Sequence, residues 1–196
     1  MRDLKSVSFL LLMLSVISCS GGDTPTAETN SSAPVSPETA AATGTSRLEL
    51  PGASIEKPAD WLFREPSSSM RLAEAEVPGP GGPAVLTVFF FGPGGGGGTE
   101  ANLQRWAGQI QPDSGVEPES SVFQVDDFMI STISLAGTMQ PSRMGTGPTE
   151  AIPGSKLLGA VIDGPGGPWF FKVTGPAETV TAAEPAFDAM LRSVQP

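Results

Sequence analysis

The sequence predicts an α+β fold: an antiparallel β-sheet flanked by helices, formed by Arg47 to Pro196 of a 196-residue chain. Three observations carry that prediction. Two pairs of apolar runs close on the same turn, Gly-Pro-Gly-Gly-Pro, at 79–83 and 164–168. Each pair is followed by an apolar stripe at helical spacing. A further pair of alternating runs lies between them, so strands outnumber helices and follow one another directly.

In chain order, Leu48 to Glu56 predicts one or two short strands, with Trp61 packing nearby. Met70–Val77 and Ala84–Phe91 form the first hairpin. The proline that closes the turn stands at a strand's start, where its missing N–H costs little. Leu103, Trp106, Ala107 and Ile110 make a helical stripe, with Thr99 as N-cap, Glu100 in the first turn and Gln111-Pro112 as the stop. Ser121–Val125 and Phe128–Leu135 form a strand pair joined at Asp126-Asp127, and the Gly- and Pro-bearing segment from Gly137 to Ser155 is expected to be a long loop. Leu157–Asp163 and Trp169–Thr174 repeat the hairpin. Phe187, Met190, Leu191 and Val194 mark the last helix, which starts either at a capping box on Thr181 and Glu184 or with Pro185 as its first residue.

Alternation assigns faces. Phe89 and Phe91 share one and Phe90 takes the other; Phe171 and Val173 lie opposite Phe170 and Lys172. Trp106, Trp169 and the phenylalanines suit core positions. Lys172 is expected near a sheet edge or an uncovered patch, because an unpaired charge under a helix costs too much.

Several of these pieces resemble the PsbP-like superfamily of α/β/α sandwiches, which includes DcrB-type lipoproteins. The carriers are Trp61; Met70-Arg71 opening a strand; Asn102-Leu103-x-Arg105-Trp106 after a Gly-rich loop; Gly137 ending a strand; Phe170-Phe171-Lys172-x-x-Gly175-Pro176; Val180; and Phe187. The resemblance spans most of residues 48–194. It implies a fold and an exported setting and no shared catalytic residue.

The N-terminus carries an export pattern, with Arg2 and Lys5 ahead of the apolar run Val7–Ile17, which is short for a membrane span. Val16-Ile17-Ser18-Cys19 resembles the bacterial lipobox. The expectation is a signal peptide over 1–18, acylation of Cys19, a disordered tether over 19–46 and a single domain over 47–196. Cys19 is the only cysteine, so it has no disulfide partner within the chain. Ser20 in the next position, where aspartate would resemble an inner-membrane retention signal, points to the outer membrane.

Chemistry is sparse. The chain has no histidine and no tyrosine, which excludes Ser-His, Cys-His and His-ligated metal sites. Gly92, Gly94 and Gly97 satisfy G-x-G-x-x-G, but the strand before them is already the second arm of a hairpin, and no acidic residue ends a strand at the spacing a dinucleotide site needs. The glycine run therefore reads as a floppy loop that tolerates shortening. Ser155-Lys156 are neighbours that do not face each other, Asp126-Asp127 lacks the ligand pattern of a calcium loop, and Glu74 and Glu76 read as the solvated face of a half-buried strand. A net charge of −10 without a basic patch excludes nucleic acid. Arg71, Arg105 and Lys172 stand amid apolar residues in this acidic chain and form the candidate contact spot for an acidic partner. The sequence thus predicts a non-enzymatic envelope protein held to the membrane through Cys19, with an unidentified protein partner, no metal and no cofactor. The alternative is a small-ligand-binding lipoprotein that uses a cleft in the sandwich.

Overall fold

The computed structural model describes residues 46–142 and 147–196. The predicted signal peptide, Cys19 and the tether lie outside the described residues.

Arg47–Leu50 (β1) and Ala53–Glu56 (β2) form a small antiparallel sheet of their own. The remaining strands are Leu62–Arg64 (β3), Arg71–Val77 (β4), Ala84–Phe90 (β5), Ile110–Pro112 (β6), Glu119–Val125 (β7), Phe128–Met139 (β8), Ile152–Asp163 (β9) and Trp169–Pro176 (β10). They make an eight-stranded sheet among the described residues, in the order β3-β4-β5-β10-β9-β8-β6, with β7 also on β8. All its pairings are antiparallel. The helices are Thr99–Ala107 (α1) and Ala177–Arg192 (α2). The result is an α+β fold built mostly on antiparallel sheet.

Both repeated turns behave alike. Gly82 N–H donates to Gly79 O at 3.2 Å and Gly167 N–H to Gly164 O at 3.0 Å, and each closing glycine takes a positive φ, 98° and 112°. The two hairpins then join edge to edge through β5 and β10. Alternation sorts the core as expected. Leu86, Val88, Ala160, Phe171 and Val173 pack with Val180, Phe187 and Leu191 of α2, whereas Val161 and Phe170 on the other face pack with Trp106 of α1. Phe90 stacks on Trp169, and Phe89 stacks on Phe91.

Several boundaries differ from expectation. α1 stops at Ala107 with Gly108 as its C-cap, and Ile110–Pro112 is an edge strand rather than a helix end. An edge position tolerates a proline because no partner waits for its missing N–H. Thr99 is not the N-cap; that position is Gly98, and Thr99 Oγ1 donates to Asp163 Oδ2 at 2.6 Å. α2 begins at Ala177, so Thr181 is not its cap and Pro185 is an interior residue rather than the first one. The expected long loop is shorter, because β8 continues to Met139 and β9 starts at Ile152. Gly137 and Gly154 sit inside these strands at φ 154° and 67°, with a register shift between Gly137 and Met139. Glycine in a strand here marks a bulge, not a loop.

Candidate functional site

Across the α1 face of the sheet, the register aligns one row of residues: Glu74, Thr87, Lys172, Gly159 and Ile133. A second row, Arg71, Phe89, Phe170 and Val161, runs beside it. α1 packs over β8 and β9, where Gly159 leaves room for the Trp106 ring. The Trp106 ring meets Phe170 edge-on, with centroids 6.5 Å apart.

Lys172 stands in the centre of the sheet and not at an edge, on a strand paired on both sides. It is half-buried and donates to Gln109 Oε1 at 3.2 Å. Among the described residues no carboxylate pairs with it. Burial, and then the nearby Arg71 and Arg105 guanidinium groups, lower its pKa from 10.5 to about 8. Of the three cations singled out from sequence, Arg71 and Arg105 thus lie close enough to Lys172 for their charges to act on it. Arg105 comes from the exposed side of α1 and donates to Asn102 Oδ1. Arg71 comes from the start of β4 and binds Ser67 Oγ at 2.8 Å and Glu74 Oε2.

Glu74 is the nearest carboxylate in the row, and it is fully engaged. Its Oε1 accepts from Arg64 Nε at 2.9 Å and Nη2 at 2.6 Å, and its Oε2 accepts from Ser67 Oγ at 2.9 Å and from Arg71. Its exposure is 2%, which overturns the expectation of a solvated strand face; only Glu76 keeps substantial exposure. The physical reason is β3, a strand that sequence pattern does not reveal, which places Arg64 beside β4. Burial raises the Glu74 pKa, but hydrogen bonds from Arg71, Ser67 and Arg64 more than offset it and bring it down from 4.5 to about 2.

The glycine run is not floppy. Gly92, Gly94, Gly96 and Gly97 all hold positive φ, and a side chain on Gly96 would meet the Phe170 ring at 2.5 Å. Asn102, 1% exposed, donates to Gly96 O at 2.9 Å and Gly98 O at 3.0 Å. The loop is thus clamped to the first turn of α1, and shortening it removes packing as well as chain. Asn102→Ala is expected to cost about 1–3 kcal/mol, because it removes the side-chain donor to the Gly96 carbonyl and the clamp between the loop and α1, while Gly98 O keeps the residue-102 backbone N–H. Thermal unfolding checks this, and an unchanged melting temperature would show that water replaces the clamp without loss.

Other sequence candidates disperse. Ser155 Oγ donates to Ile152 O, whereas Lys156 pairs with Glu184 at 2.6 Å, so the two do not act on one another. Asp126-Asp127 is the β7–β8 turn, with Asp126 at φ 49°. Trp106 and Trp169 are core. A separate cavity of about 360 Å³ lies between β7, β8 and α2, lined by Ser121, Thr132, Ser134, Leu158 and Phe187 among others. Among the described residues no set of three or more acidic, His or Cys side chains is placed to hold a metal ion, and no helix is long and apolar enough to cross a membrane.

Comparison with protein-family models gives no match, and comparison with curated proteins gives none either.

Proposed function

We propose that the chain is a non-enzymatic, lipid-anchored protein of the bacterial envelope, held at the outer membrane through Cys19, whose domain docks an acidic segment of a protein partner. The observation that carries the docking role is the convergence of Arg71, Arg105 and Lys172 beside exposed apolar groups. Phe91 is 46% exposed at the end of the Phe89 stack, and Met70 is 60% exposed immediately before Arg71. Cations next to exposed Met and Phe suit a protein surface that carries acidic and apolar side chains together. The PsbP-like resemblance fits this reading, since that fold hosts binding roles without a common catalytic residue.

Two measurements test it. Cys19→Ser is expected to shift the protein from the membrane fraction to the soluble fraction, because each acyl CH₂ contributes about 0.8 kcal/mol of membrane binding. Unchanged retention, with no fatty-acid label on the wild type, would remove the anchor from the proposal. The double variant Arg105→Glu with Lys172→Glu is expected to lose the proteins that co-purify with the wild type from native membranes. Identical co-purification would place the docking surface elsewhere. The cavity under α2 favours a second reading, a small-ligand-binding lipoprotein, which predicts a co-purifying small molecule released on denaturation.

A further inference from the structure

We propose that Lys172, Arg105 and Arg71 form a built oxyanion subsite on the α1 face, and that it takes one carboxylate of an acidic side chain or chain end. The inference rests on the docking reading above and narrows it to a chemical group.

The argument is one of unmatched donors. A lysine ammonium has three N–H bonds and an arginine guanidinium has five. Lys172 gives one to Gln109 Oε1, Arg105 gives one to Asn102 Oδ1, and Arg71 uses Nη1 on Ser67 and Glu74. The other donors of these groups meet no acceptor among the described residues. The one carboxylate in the Lys172 row, Glu74, is consumed by Arg64, Arg71 and Ser67 and cannot turn to Lys172. Like charges gathered on a half-buried surface repel one another, and an anion between them removes that repulsion.

The neighbours also fix direction. Gln109, just past the end of α1, accepts from Lys172 with its oxygen, which holds the ammonium on the α1 side of the sheet. Asn102 holds Arg105 one helical turn earlier, while its own amide group is anchored in the glycine loop. Thr87, itself buried, separates Lys172 from Glu74 in the row and turns its hydroxyl to Lys172 O at 3.3 Å. A carboxylate suits this arrangement because its two oxygens can take a guanidinium and an ammonium together.

A carboxylate bound here stabilises the charged form of Lys172, so binding and protonation are linked. The charged groups acting on that ammonium are Arg71 on β4 and Arg105 on α1, with Gln109 as its hydrogen-bond acceptor and Glu74 held away from it by Arg64, Arg71 and Ser67. With the free-site pKa at about 8, affinity is full at pH 7 and falls as pH rises.

The test is a titration of the full-length domain with acetate, with inorganic phosphate and with chloride at matched ionic strength, followed by NMR of the Gln109 and Asn102 side-chain amides and the Arg105 Nε–H. Saturable shifts with acetate that exceed those with phosphate, weaken about tenfold from pH 7 to pH 9, and vanish in Lys172→Met support the proposal. Arg105→Gln, an exposed change that leaves the fold intact, should weaken the same shifts. Lys172→Arg should bind without the alkaline loss. Shifts that are linear and equal in chloride overturn the subsite, and preference for phosphate overturns its assignment to a carboxylate. In either case the co-purification of the charge-reversed domain still decides the docking reading by itself.

Discussion

Gly159→Val is expected to lower stability by about 3 kcal/mol and the melting temperature by roughly 10 °C, with loss of anion binding on the α1 face. Gly159 lies in β9 between Lys172 and Ile133. A Cβ there would sit 2.8 Å from Trp106 Cζ3 and 3.0 Å from Ile133 Cγ2, with Trp106 Cε3 closer still. The ring has little room to withdraw, because it is 3% exposed and stands edge-on to Phe170. Valine therefore has to lift Trp106, and with it the helix that carries Arg105 and leads to Gln109. The cost is steric rather than conformational, so a smaller ring should relieve it. Gly159→Val combined with Trp106→Leu is expected to lose less than the sum of the two single changes. Urea unfolding of the four proteins measures the coupling, and simple additivity would show that the ring and the glycine do not share one space.

Much of the sheet is legible in the sequence because period-2 alternation is a local signal. Phe89, Phe90 and Phe91, and Phe170 to Val173, sort to the faces their spacing demands. The repeated Gly-Pro-Gly-Gly-Pro turn pairs neighbours in the chain, and those pairs form. What alternation does not carry is the joining of distant strands. Lys172 meets Thr87, and through it the Arg71–Glu74 network, only because β10 pairs with β5. Sequence could single out Arg71, Arg105 and Lys172 as cations among apolar residues, but their convergence depends on that pairing and on α1 crossing β9.

The misread elements have a common physical origin in glycine and proline. Both signal breaks, and both are also tolerated within strands at bulges and edges. Pro112 ends no helix; it sits in an edge strand against Gly137. Gly137 has no side chain because its Cβ would run into the Gln111 carbonyl. The glycine run after Phe91 looked unstructured because its composition is entropically loose, yet its backbone is held by Asn102, whose amide reaches two carbonyls. The sequence shows only an asparagine just after the run, a residue type that bonds nearby backbone; its burial appears with the fold. Glu74 left no such sign, since the strand that brings Arg64 to it is only three residues long.

Glu74→Gln is expected to destabilise the fold by about 2–3 kcal/mol at pH 7, while strengthening acetate binding beside it. Removing one member of a buried ion network costs about 3–5 kcal/mol, and partial exposure of Arg64 softens that figure. The pH dependence follows from the sign of the shift. The folded-state pKa is about 2 against an ordinary 4.5, so between these values the unfolded chain holds more protons. Stability from Glu74 is then fully present above pH 4.5 and is lost as pH falls toward 2. The wild-type and Glu74→Gln unfolding curves should differ most at neutral pH and converge in acid. A gap that stays constant from pH 7 to pH 2.5 would mean that glutamine disturbs packing rather than charge. Anion binding should move the opposite way, because Arg71 loses its carboxylate and adds an unpaired charge next to Lys172. Lys172 should titrate lower still in the variant, and acetate should bind more tightly at pH 7. Weaker acetate binding by a folded Glu74→Gln protein would show that Glu74 positions Arg71 for the ligand instead of competing for it.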